Sequence, residues 1–136
     1  MNIKYLKERK VSMKQPMTKL YHATFQAYLP EIKKDGLVPG KNKNWDCESG
    51  FVYLSNDMDA AISFCEAVPD NTPEEVYDSG ICCFELDINA IDMQCLYKDP
   101  NILDADNLSE DNVKCFAYAK PVPFNKLHLI WIETNV

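Results

Sequence analysis

Residues 19–40 read KLYHATFQAYLPEIKKDGLVPG, an apolar run rich in aromatic and β-branched residues that gives way to a short amphipathic segment and ends on glycine and proline. The first part, Lys19 to Thr24, has the composition of a short strand. In the second, Pro30 suits a first helical turn, Leu29 and Ile32 share a face, Lys33 and Lys34 come late, and Gly36 stands where a helix stops. This predicts a strand, a helix of about two or three turns, then a loop. His22 falls inside the strand. Alone, it reads either as a core residue with a satisfied hydrogen bond or as half of a ligand site.

Further along, the polar stretch 38–50 predicts a loop and FVYLS at 51–55 a compact strand. Ser55, Asn56 and Asp57 are N-cap candidates, and Met58, Ala61, Ile62 and Cys65 recur at helical spacing, predicting a helix of about eleven residues. Residues 68–80 predict a loop with a single turn from Pro73 to Tyr77. In ICCFELDI, at 81–88, Cys82, Phe84, Leu86 and Ile88 alternate with Ile81, Cys83, Glu85 and Asp87, and the first set is expected to face the core. Residues 98–112 are acidic and irregular. Two last strands are expected at 113–119 and 127–133, separated by KPVPFNK, whose prolines forbid a regular ladder. Five strands, two early helices and no strand-helix-strand alternation after residue 68 predict an α+β fold.

At 136 residues and 46% hydrophobic, the chain has the size and composition of one domain with a real core. Charge divides it: residues 1–43 hold ten basic against three acidic residues, a net of +7, and residues 44–136 hold four against eighteen, a net of −14. We read residues 1–17 as a basic, loosely attached arm and 18–136 as a single domain whose acidic surface repels a phosphate backbone. No apolar run is long enough to span a bilayer and no signal peptide is evident, so a soluble cytoplasmic protein without a membrane partner is expected. The six cysteines form no Cys-x-x-Cys and lie apart from His22 and His128, which predicts reduced thiols and no metal.

Taken together and in order, LYHAT (20–24), LPEIKKDGLVP (29–39) and VYLSNDMDAAISF (52–64) resemble the opening of the ADP-ribosyltransferase superfamily, including its RNA 2′-phosphotransferase and DarT-like branches. There a strand bearing His-x-Thr precedes a helix ending in Gly-Leu-x-Pro, and a second strand bearing an aromatic-x-Ser opens a further helix. The resemblance covers most of residues 19–132, with specific motifs only in the first half. It implies a split antiparallel or mixed β-sheet core with short helices in the N-terminal half. It also implies NAD as substrate, and mono-ADP-ribosyl transfer to a macromolecular acceptor, protein or nucleic acid, with release of nicotinamide. His22 would hydrogen-bond a ribose hydroxyl on the adenosine side, supported by Thr24. Tyr53 would stack on the nicotinamide ring. Ser55 would bond near the nicotinamide ribose, or serve only as an N-cap. Tyr21, on the other side of the strand, is read as core. Cleaving the nicotinamide–ribose bond passes through an oxocarbenium-like cation, which is why such a site holds the dinucleotide in place and stabilises positive charge.

The chain departs from the family's pattern in two places. The late-strand glutamate that steers transfer falls near Cys115, where there is no acid. Either Glu110, with Asp111 beside it, takes that role, or the site lacks the carboxylate; Glu85 is a weaker substitute. Ala23 replaces the glycine common between His and Thr. Tyr53 stands where the 2′-phosphotransferase branch has histidine, and the sole arginine is Arg9, in the arm. Both facts favour a mono-ADP-ribosyltransferase of His-Tyr type over RNA repair. A non-catalytic NAD- or ADP-ribose-binding or protein-interaction module on the same fold is the alternative. Trp45 and the loop 41–50 are placed by position over the nicotinamide end.

Overall fold

The computed structural model describes residues 17–40, 50–67, 72–98 and 115–134. Six strands, β1 Lys19–Phe25, β2 Val52–Ser55, β3 Ile81–Asp87, β4 Leu96–Lys98, β5 Cys115–Tyr118 and β6 His128–Ile132, form one sheet in the order β4-β5-β2-β1-β3-β6. Every pairing is antiparallel, so the sheet is not mixed. Three helices accompany it: α1 Leu29–Asp35, α2 Met58–Glu66 and α3 Glu74–Asp78. Among the described residues the architecture is thus α+β, with its three α-helices before residue 79.

The sheet is tightly laddered in its two halves and barely so between them. β1 registers with β3 from Lys19 and Asp87 through to Phe25 and Ile81, and β2 registers with β5 along its whole length. β1 and β2, in contrast, register at Tyr21 and Ser55 alone.

Strand alternation and these registers put Leu20, His22 and Thr24 on the same side as Cys82, Phe84 and Leu86. Ile32 of α1 covers that side, where it joins Leu37, Leu54, Phe116, Val122 and Leu127 in the main core. On the other side Cys65 of α2 packs with Phe25 and Ile81 in a smaller cluster, flanked by Ala23 and Trp131. The alternation in ICCFELDI holds for Cys82, Phe84 and Leu86. It fails for Ile81 and Cys83, which are equally buried, because α2 removes their face from water too.

Local chemistry sets the element ends. α1 stops at Gly36, whose φ is +74° and whose N–H donates to the Ile32 oxygen at 2.8 Å. The chain then runs against KPVPFNK: Leu37 and Val122 exchange two main-chain hydrogen bonds of 2.9 Å. A Cβ on Gly36 would lie 2.1 Å from the Val122 oxygen, so both the conformation and the close approach require glycine. α2 spans nine residues, not the eleven expected, and its N-cap is Asp57, whose carboxylate accepts from the N–H groups of Asp59 and Ala60 at 2.9 and 3.3 Å. The turn expected at 73–77 is α3. The strand not foreseen is β4, which follows a 3₁₀ turn at 93–95 capped by the side chain of Asp92.

Candidate functional site

The ladder between β1 and β2 opens beside His22, since Tyr21 and Ser55 are their one registered pair. The His22 Nδ1 lies 2.7 Å from the main-chain oxygen of Tyr53 on the facing strand. A carbonyl oxygen only accepts, so Nδ1 carries the proton. Burial pushes the pKa of His22 below 6.5, against the smaller opposing effect of that hydrogen bond, and the ring is neutral at pH 7. The neutral Nδ1–H tautomer leaves a lone pair on Nε2, and no group among the described residues bonds to it. Two residues on and on the same side, Thr24 is 4% exposed, and its hydroxyl likewise has no hydrogen-bond partner among the described residues. His22 is half-buried and Thr24 buried, two residues apart on one side of β1.

Tyr53 comes to His22 through its backbone. Because Tyr21 and Ser55 register and alternation continues along β2, the Tyr53 ring lies on the α2 side of the sheet, opposite to that of His22. It is half-buried and packs on Phe51 with centroids 6.3 Å apart, and Phe51 packs edge-on against Tyr97 at the same distance. Tyr53 and Tyr97 flank Ala117 in register. The His22 and Tyr53 rings therefore stand on opposite sides of the sheet.

Ser55 is buried, and its hydroxyl accepts from the Asp57 N–H at 3.1 Å. That turn leads into α2 without capping it, since Asp57 is the cap; the hydroxyl keeps its own proton to donate. Tyr21 does point away from His22, but it is half-buried, in a row with Glu85 and Ser55, and is not a core residue. Glu85 lies 3.5 Å from the ammonium of Lys19, which also contacts Asp87 at 3.1 Å, so its carboxylate is engaged at the strand surface.

Cys115 is buried and sits directly across from Ser55, and β5 holds no acid. Glu110, Asp111 and Trp45 lie outside the described residues, as does the basic arm up to residue 16. Tyr97 was missed from sequence because a three-residue strand shows no period. Three buried thiols are held protonated: burial pushes Cys65 and Cys82 up to about 12 and Cys83 to about 11. Among the described residues no group of side chains could hold a metal ion, and no helix is long and apolar enough to cross a membrane. The chain matches no protein-family model and no curated protein sequence.

Proposed function

We propose that this chain is a mono-ADP-ribosyltransferase that binds NAD across the opening between β1 and β2 and transfers ADP-ribose to a macromolecular acceptor, releasing nicotinamide. One observation carries the reading: His22 is held in its Nδ1–H tautomer by Tyr53, with Nε2 and the buried Thr24 hydroxyl available to ribose hydroxyls. Tyr53 offers an aromatic face backed by Phe51 to the nicotinamide ring, and Ser55 offers a hydroxyl proton nearby. The open antiparallel sheet, in which β1 and β2 register at one pair, is compatible with the ADP-ribosyltransferase-like core that the motifs imply. The test is incubation with NAD followed by quantification of free nicotinamide and of labelled protein or nucleic acid. Tyr53→Ala abolishes turnover on this reading, and Glu110→Gln costs about tenfold, or 1.4 kcal/mol of barrier, if that carboxylate acts in the transition state.

A specific observation favours a second reading, in which the pocket binds NAD or ADP-ribose without chemistry. The strand position beside Ser55 holds the Cys115 thiol instead of a carboxylate. NAD binding with no nicotinamide released would select this module. RNA 2′-phosphotransfer is the least supported reading, because the sole arginine is Arg9 and a 2′-phosphate calls for a guanidinium fork.

A further inference from the structure

β6 ends the sheet and, among the described residues, has β3 as its sole ladder partner. Four of its five residues are exposed, and Leu129, Ile130 and Ile132 retain 41, 41 and 43% of their surface. Leu129 and Ile132 register with Phe84 and Cys82, which places them on the α1 side of the sheet. Phe124, 36% exposed, packs edge-on against Phe84 on that same side. Ile130 is the extra residue where the β3–β6 register slips between Cys83 and Phe84. A bulge there breaks the regular row of main-chain groups, so β6 is a poor template for strand addition. What it presents is side-chain surface: Leu129, Ile132 and, from the turn before the strand, Phe124 on the α1 side, with Ile130 at the bulge. The opposite edge, β4, is three residues long, and its Leu96 and Lys98 are buried.

The ends of the patch say what fits it. Exposed Lys126 precedes β6 and exposed Glu133 follows it, so the strand carries a positive charge at one end and a negative charge at the other. The acidic end is fixed, since Glu133 accepts the Ile81 N–H at 2.9 Å and its main-chain oxygen accepts from the Gln26 amide at 2.8 Å. We propose that the patch is where two copies of this chain meet, with their β6 strands antiparallel about a twofold axis near Ile130. In that arrangement apolar meets apolar at the centre, and each Lys126 end lies beside the partner's Glu133 end. A parallel arrangement would put like charges together. The contact uses the same surface on both copies and therefore closes as a dimer.

Sedimentation velocity on the full chain over roughly a hundred-fold range of concentration tests this by mass action. The expected result is a shift from monomer to dimer, with amide exchange in 128–132 slowing in step. Ile130→Lys and Leu129→Lys abolish the dimer while circular dichroism and Tm stay near those of the wild type. Lys126→Glu weakens it at low salt, an effect lost near 1 M where the Debye length is about 3 Å. A wild type that stays monomeric throughout overturns the proposal. So does a dimer that survives both lysine substitutions.

Discussion

His22 and Tyr53 are joined across the opening of the sheet by a hydrogen bond from the imidazole Nδ1 to a main-chain oxygen, 2.7 Å long. This bond connects β1 to β2 beyond their one registered pair and at the same time sets which ring nitrogen is left to accept. On the proposed function, structure and recognition depend on different atoms of one side chain, and substitution can separate them.

His22→Ala removes this hydrogen bond together with the packing of the ring, a loss of about 1–3 kcal/mol in chemical denaturation. His22→Asn retains a donor near the Nδ1 position and recovers most of that loss while removing Nε2. Equal destabilisation by the two substitutions would show that ring packing, and not the bond to Tyr53, is what His22 contributes.

The same histidine gives stability a pH dependence of known sign. Its folded-state pKa lies below 6.5, so as pH falls through 6.5 the unfolded chain takes up the proton first. The stability tied to neutral His22 is complete above that pH. Below it, stability falls by up to about 1.4 kcal/mol per pH unit until the folded-state pKa is reached. Denaturation midpoints of wild type and His22→Asn compared between pH 7.5 and 5.5 isolate the effect, and parallel curves would remove His22 as its source.

Gly36→Ala should be among the most damaging single-methyl changes in the chain. The new Cβ would meet the Val122 oxygen at 2.1 Å, and relief requires separating Leu37 from Val122, so about 2 kcal/mol or more is lost. A Tm within a degree of wild type would show that the junction of the two loops yields at little cost.

Asp57→Ala removes the cap of α2 and costs about 1 kcal/mol, and Asp57→Asn much less, because the amide oxygen still accepts. Ser55→Ala, which removes a turn contact and no cap, should cost less than Asp57→Ala. The reverse order in thermal melts would reassign the cap to Ser55.

Where local chemistry decides, the fold was legible. Pro30, Ile32 and Gly36 gave α1 with its correct stop, and the aromatic and β-branched runs gave β1, β2, β3, β5 and β6. β4 escaped because Leu96–Lys98 is too short for a period and is fixed by pairing with β5, a contact distant in sequence. Cys83 was assigned to the wrong environment because alternation assumes one wet face, and α2 covers the second. Among the candidate residues, order and spacing picked out His22, Thr24, Tyr53 and Ser55, but neither predicts that β1 and β2 register at a single pair. That the Tyr53 backbone meets His22 while its ring lies on the other side follows from register, which no single segment encodes.

The central claim is that the His22 opening binds NAD through Nε2. Calorimetric titration of NAD into the wild type and into His22→Asn, which keeps the bond to Tyr53, tests it directly. The account predicts saturable binding to the wild type and affinity at least about tenfold weaker, or 1.4 kcal/mol, in the variant at unchanged stability. No binding to the wild type, or equal affinity in both proteins, would contradict it.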